Sequence, residues 1–417
     1  MGVANEFRSF FRRDPDVTAS APGRVDFLNT HQDYKGLPVV AIGINLRVFT
    51  AVRRSSSGDV TVVSGNLMDE GLPCIARFNA RDPYPIEGRS FSSYVKAVVA
   101  ALMRQGIEVG GFNAFIRGYL PIASGLGSSA ALAVSLLWGL NELFSLGLGR
   151  VEVAETAYRA EHDVMGIPCG RLDQYASAFG GVSLIRTRPP CIVEELPRIN
   201  GSLTVLDTGV KHSTAEIHPV RQGELAEALQ LILRECSDPG LRSKLSSNYW
   251  DVAWEELSEE ELKPYVNALP GRLARRVLFT LRMHRSTVLA VRALKGGVTK
   301  DLVEEVAEVI GRSMKDFLSE AGGGADALLR LVGAIMTYQH RLLSELYEVS
   351  SPALDGLVEV SLKAGAYGAK LSGAGLGGAV VALSPNAEVA EAVVRAGVGA
   401  GAREGWVVEV DEGVKVH

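Results

Sequence analysis

Cysteine is scarce in this chain. Its four residues, Cys74, Cys169, Cys191 and Cys236, form no CxxC pair within 417 residues. A chain this long needs no disulfide staples, so four reduced thiols are expected. No clustered His/Cys ligand set is present, which argues against a structural zinc site. A basic excess is also missing: 43 Lys+Arg stand against 48 Asp+Glu, a formal net charge of −5. That balance leaves no electrostatic footprint for nucleic acid or an anionic membrane. Long apolar runs are absent too, because Arg, Glu or Gly interrupts each segment before it could span a bilayer. The opening residues MGVANEFRSFFRRDPD lack the apolar core of a signal peptide. Glu6 stands where a myristoylation signal needs Ser or Thr. A cytoplasmic protein is expected, without nucleic-acid or membrane partners.

The remaining composition is that of a globular chain, 47% hydrophobic and 22% charged. Its length exceeds one ordinary core and predicts two domains, or three. Residues from Val17 to about Ala80 read as strands, with Val39–Ile44, Leu46–Arg53 and Val60–Val63 rich in β-branched residues. Helical spacing predicts a helix over Phe91–Arg104. Gly111–Arg117 follows as a strand, then helices over 130–144, 151–165 and near Asp173. Val182–Ile185 and Leu203–Asp207 read as strands. Residues 220 to about 350 are mainly helical, with a polar break near Gly322–Gly324. A helix over 353–364, a glycine turn from Lys370, a strand over 379–383, a helix over 387–396 and a strand over 406–410 complete the chain. Strands and helices occur in both halves without strict βαβ alternation, so the fold class is α+β.

The sharpest local signal is Pro121-Ile-Ala-Ser-Gly-Leu-Gly-Ser-Ser-Ala-Ala131. Gly125 and Gly127 permit a tight turn, and the helix that follows opens with free N–H groups and partial positive charge. Such a turn suits a polyanion. A capped helix without a ligand would read the same way. A Walker loop is excluded, since no lysine is present. A second loop, Lys370-Leu-Ser-Gly-Ala-Gly-Leu-Gly-Gly378, contains GxGxxG, but the residues after it read as a strand, not the helix a dinucleotide site needs. It is either a close backbone approach to a ligand or a bulge and turn.

Two further stretches carry chemistry. Ala21-Pro-Gly-Arg-Val-Asp-Phe-Leu-Asn-Thr-His-Gln-Asp-Tyr-Lys-Gly36 places Arg24, Asp26, His31 and Asp33 close together. Arg24 can hold a phosphate or orient a carboxylate, and His31 and Asp33 can bind vicinal hydroxyls; a salt-bridged hairpin is the alternative. Ala160-Glu-His-Asp-Val-Met-Gly-Ile-Pro-Cys-Gly-Arg-Leu-Asp-Gln174 carries Glu161 and Asp173. A kinase needs one ligand for Mg²⁺ and one group beside the accepting hydroxyl, and this pair could serve.

Together these segments resemble the galactokinase branch of the GHMP kinase superfamily. GLGSSAA resembles its phosphate loop, KLSGAGLGG its C-terminal glycine motif, GRVDFLNTHQDY its sugar signature and AEHDVMGIPCGRLDQ its catalytic stretch. The likeness spans nearly the whole chain. It implies a two-domain GHMP kinase fold, residues 1–200 and 201–417, with the active-site cleft between the domains. It implies ATP and Mg²⁺ as cofactors, a free sugar as partner, and a monomer or homodimer. Asp173 and Arg24 would be catalytic. Pro121, Ser124, Gly125, Leu126, Gly127, Ser128, Ser129, Ala130 and Gly375 would bind ATP, with Ser129 and Glu161 on the metal. Thr30, His31, Asp33, Gly170, Arg171, Asp173 and His218 would contact the sugar.

The chain departs from that pattern at the sugar. Thr30 replaces the family's Glu, which contacts the sugar at C6, Asp26 replaces its Asn, and Arg171-Leu172 replace its Ile-Met. His218 falls where the pattern has Tyr. Losing the Glu charge while gaining Arg171 makes the pocket less hostile to a carboxylate. Galactose is expected first, with a uronic acid or a pentose such as arabinose as alternatives. A non-catalytic sugar sensor is a further reading, disfavoured by the uninterrupted Gly125–Ala131 loop and by the presence of both Arg24 and Asp173. A mevalonate-type kinase shares both glycine loops but gives no reason for His31 and Asp33.

Overall fold

The computed structural model describes residues 2–121, 124–210, 214–313 and 326–417. Two β-sheets organise it. The first holds eight strands: β1 (Val17–Leu28), β2 (Val39–Arg54), β3 (Asp59–Ser64), β4 (Ile75–Asn79), β5 (Phe112–Gly118), β6 (Val182–Arg186), β7 (Ile192–Glu195) and β12 (Lys415–Val416). Its main path runs β12-β1-β2-β5-β3-β4, with β6 on β2 and β7 on β6. The second sheet runs β11 (Glu404–Val408), β8 (Ser202–Asp207), β10 (Ala379–Ser384), β9 (Gly368–Ser372).

The expected α+β class holds, and most elements fall within a few residues of their expected bounds. Four differences have physical causes. A first helix, α1 (Val3–Phe11), buries Val3 and Phe7 against Ala51, Val63 and Phe115; its short amphipathic stripe was not read from the sequence. β2 is one strand of 16 residues, because β1, β5 and β6 all pair along it. β7 forms between the Pro189-Pro190 and Asn200-Gly201 breakers by pairing with β6. Lys370–Ser372 belong to a strand, β9, with the glycine turn after them. The Gly322–Gly324 break lies outside the described residues.

Helix α4 (Ser128–Phe144) is apolar on every side because it is covered on every side: it packs on β1 and β2 beneath α3 (Phe91–Arg104), α5 (Arg150–Arg159) and α6 (Leu172–Phe179). Helix α12 (Ala327–Arg341) packs on β9, and α13 (Pro352–Lys363) and α14 (Ala387–Gly399) also cover the second sheet. One apolar cluster runs through both sheets, joining Val25, Ile42 and Val134 to Val205, Leu331 and Val381. The last strand crosses the expected boundary at residue 200. Ala19 pairs with Val416, and Arg47 donates to Asp411 and to the Glu412 and Gly413 carbonyls, so the C-terminus lies in the first sheet.

Candidate active site

Strand β1 is bent where its chemistry sits. Its register against β2 shifts between Pro22 and Gly23 and again between Asp26 and Leu28. Bulges of this kind re-aim side chains and are common beside active sites. Arg24 and Asp26, two residues apart between the shifts, share one face. The Arg24 amide donates to the Leu126 carbonyl at 2.9 Å, and the Asp26 amide donates to Ser372 Oγ at 3.0 Å. β1 thus ties the two glycine loops together.

The loops also touch each other. Gly125 has φ +74°, and a Cβ there would stand 2.5 Å from the Ser372 carbonyl oxygen. Gly373 has φ +87°, and its Cβ would lie 3.0 Å from Gly125 Cα. Gly127, also left-handed at φ +74°, N-caps α4 and leaves the first amides of the helix without intrahelical partners. Ser128 and Ser129 open that helix and line a cavity of about 550 Å³.

The cavity gathers Arg24, Asp26, Thr30, His31, Asp33, Ser128, Ser129, Glu161, Asp173 and His218 from segments far apart in the chain. Arg24 Nε and Nη2 donate to Asp173 Oδ1 at 2.8 and 2.6 Å, and Nη1 donates to the Gly125 carbonyl. Asp173 lies in the first turn of α6, where the helix dipole favours a carboxylate. Glu161 sits in a π-helical turn, Ala160–Val164, that interrupts the helix expected over 151–165. Such turns recur at functional sites. Its Oε2 accepts from Gln174 at 3.1 Å while Oε1 is buried without a partner. Burial, then the charge of Asp173, pushes its carboxyl up to about 7; a hydrogen bond with Ser129 opposes the shift. Burial and the Asp173 charge likewise push Asp33 up to about 6. The Leu172 amide donates to Asp33 Oδ2 at 3.3 Å.

The structure redistributes several sequence-based assignments. His31 lines the cavity, but both ring nitrogens are engaged by protein. Nε2 donates to the Ala374 carbonyl at 3.0 Å, and Nδ1 accepts from Tyr34 Oη at 3.0 Å. Burial holds the imidazole well below its usual pKa, so the ring is neutral. Its part is to fasten the signature loop to the second glycine loop. His218 packs 5.1 Å from His31 and donates Nδ1 to the Pro168 carbonyl. Burial brings its pKa down to about 4, leaving Nε2 an acceptor.

Arg171 is not brought to the cavity. Its guanidinium donates twice to Glu155 at 3.0 Å and lies 3.9 Å above the Tyr158 ring. Gly170 provides clearance: a Cβ would fall 1.8 Å from Asp33 Oδ2. Gly375 faces protein, since its Cβ would meet the Val349 carbonyl at 2.1 Å. Pro121, Ser124, Gly125, Leu126, Gly127 and Ala130 are not among the residues that line this cavity. Residues 122 and 123 of this loop lie outside the described residues.

Sequence reasoning missed the apolar end of the cavity, formed by Leu67, Phe91, Leu132 and Ile116. Nothing distinguishes these from ordinary core residues. It also gave Lys370 no role. Lys370 is fully buried and donates to Thr30 Oγ1 at 2.6 Å and to the Asp26 carbonyl at 2.7 Å. A lysine entering a β-strand between apolar neighbours was the available signal.

Comparison with known proteins agrees with this geometry. The family model for the GHMP kinase N-terminal domain matches residues 93–181, and that for the C-terminal domain matches 325–401. A galactokinase galactose-binding signature matches 5–54. The galactokinase of Thermococcus kodakarensis is 32% identical over 95% of this chain and 99% of its own length. That of Pyrococcus furiosus is 30% identical over 88% of each. The fold resembles Lactococcus lactis galactokinase complexed with galactose, with TM-score 0.79 at 24% identity over 99% of this chain and 98% of the other. The mevalonate kinase of L. major is more distant, with TM-score 0.59. Fold and site therefore define the class as a GHMP kinase. Within it, the chain belongs to the galactokinase family, and a kinase of that family implies ATP as phosphoryl donor. Among the described residues no helix is long and apolar enough to cross a membrane.

Proposed function

We propose that this protein transfers the γ-phosphoryl group of ATP to the anomeric C1 hydroxyl of a free sugar, galactose first. The observation that carries the reading is the Arg24–Asp173 pair in one cavity with the open N-terminus of α4 and the orphaned Glu161 oxygen. The amides and hydroxyls at Ser128 and Ser129 cradle the triphosphate. Asp173 orients the sugar hydroxyl and accepts its proton as the O–P bond forms and the Pγ–O bond to ADP breaks. Arg24 fixes Asp173 by two donors on one oxygen and adds positive charge where the phosphoryl group passes. Little nucleophile activation is needed, so positioning dominates.

Glu161 and Ser129 would hold Mg²⁺. Glu161 Oε1 is a buried acceptor without a donor, which suits a cation ligand. One carboxylate and one hydroxyl are enough when phosphate oxygens and water complete the shell. The ion, when bound, supplies charge neutralisation on the phosphates. A cytoplasmic setting fits four cysteines that form no disulfide. The cation that favoured a uronate, Arg171, is neutralised by Glu155, so a neutral sugar is the better reading. The test is ADP release with ATP·Mg²⁺ and a panel of galactose, arabinose and galacturonate. Sugar binding without turnover anywhere in the panel would refute the kinase assignment.

A further inference from the structure

Two departures from the family pattern, Asp26 and Thr30, meet in space. Lys370 Nζ donates to Thr30 Oγ1 at 2.6 Å. The same ammonium donates to the Asp26 main-chain carbonyl at 2.7 Å. Asp26 is 5% exposed and lines the cavity, yet its Oδ1 is buried without any hydrogen-bond partner. A buried carboxylate oxygen without a donor is costly. A native fold retains one where a ligand supplies the donor or where the charge serves as a counter-ion. Lys370 already has two acceptors, the Thr30 hydroxyl and the Asp26 main-chain carbonyl, so the side-chain oxygen is surplus to its hydrogen bonding.

We propose that Asp26 is a substrate-binding, specificity-determining residue, whose carboxylate accepts a hydrogen bond from a non-reacting hydroxyl of the sugar. Lys370, which donates to the Asp26 main-chain carbonyl and to Thr30, positions it. The Asp26 carboxylate is an acceptor at the cavity. Such an acceptor suits a hydroxyl, which can donate, and rejects a carboxylate, which cannot. Burial raises the pKa of Asp26, while the nearby Lys370 and Arg24 charges oppose that shift and favour the anion. The sugar class is therefore neutral, and discrimination against uronates comes from residue 26 rather than from residue 30 or 171. The inference rests on the sugar-kinase reading above.

The experiment compares the full-length wild type with Asp26→Ala, using galactose and galacturonate as probes and ADP release as readout. The wild type should prefer galactose. Asp26→Ala, which removes the acceptor outright, should raise the KM for galactose about 10- to 100-fold, the range of a lost hydrogen bond to a charged group. The KM for ATP should stay within about twofold, and the galactose-to-galacturonate ratio of kcat/KM should fall. A galactose KM and ratio unchanged by the substitution, with only a lower Tm, would make Asp26 a mere counter-ion of Lys370 and overturn the proposal. Should the variant not fold, the wild type still decides: galacturonate used as well as galactose refutes the claim. Absence of ADP release with either sugar would sink the galactose reading and this inference together. Galactose turnover indifferent to residue 26 would sink the inference alone.

Discussion

Gly125→Ala tests whether the two glycine loops work as one unit. Alanine at φ +74° costs about 1 kcal/mol or somewhat more for the left-handed backbone alone. A second cost is the contact with Ser372. The added methyl would stand 2.5 Å from that carbonyl oxygen, so one loop must yield by about 0.5 Å to reach the 3.0 Å that real contacts keep. The Gly125 carbonyl would move with it, and that carbonyl accepts from Arg24 Nη1. The turn that sets the α4 amides would shift as well. One misaligned charge-assisted hydrogen bond is worth about 1.5–3 kcal/mol, or roughly 10- to 100-fold in affinity. Gly147→Ala separates the two costs, because Gly147 has φ +72° with nothing within 4 Å of a built Cβ. Thermal melts and ATP titrations of kcat should show a small Tm loss and no KM change for Gly147→Ala. Gly125→Ala should show a larger Tm loss and an ATP KM raised about tenfold or more. An ATP KM for Gly125→Ala within about twofold of Gly147→Ala would refute the interlock.

Three other outcomes follow from the same geometry. Asp173→Asn should lower kcat by about 10²- to 10⁴-fold with the ATP KM nearly unchanged, read in steady-state ADP release; wild-type turnover would remove Asp173 from the reaction. Glu161, its carboxyl pushed up to about 7 from the ordinary 4.5 of a glutamate, favours the unliganded fold when protonated. That contribution is full below about pH 4.5 and is lost as pH rises through 7. The proposed cation competes with the same proton, so its apparent affinity should fall from pH 8 to pH 6. Isothermal titration with Mg²⁺ and ATP should show Glu161→Gln weakening the cation and flattening this dependence. Arg171→Ala should lower Tm, because the half-buried Glu155 loses its partner, yet leave the galactose-to-galacturonate ratio unchanged. A shifted ratio would return Arg171 to the sugar pocket.

The order of elements was legible because periodicity and turn residues are local. Phe91–Arg104 and the α4 segment show it: their apolar spacing and flanking glycines suffice. That Arg24, Ser129, Glu161 and Asp173 share one cavity was legible because each lies in a motif. What failed was direction. Arg171 and Asp173 are two residues apart, but near the start of a helix that spacing turns side chains far around the axis. One reaches Arg24 and the other Glu155. His31 failed for a different reason. Its hydrogen-bonding capacity is consumed by Ala374 and Tyr34, and Ala374 is 343 residues away. Lys370 and Asp26 lie 344 residues apart and acquire meaning only when β9 is laid beside β1.

The balance of charge in the cavity explains why a divalent cation accompanies the nucleotide in the proposed reaction. Four carboxyl groups line it, Asp26, Asp33, Glu161 and Asp173, against the guanidinium groups of Arg24 and Arg89. The Asp173 charge contributes to the upward shift of each of the other three, so the acids already crowd one another. A polyanionic triphosphate brought alone into that space would add repulsion in a region shielded from water, where it is least screened. A proton on Glu161 relieves the crowding in the unliganded protein, and a divalent cation held by Glu161 and Ser129 would relieve it more fully by supplying two positive charges. Nucleotide and cation binding should therefore expel the Glu161 proton. Asp26, whose main-chain carbonyl is held by Lys370, is the carboxylate left over for the sugar.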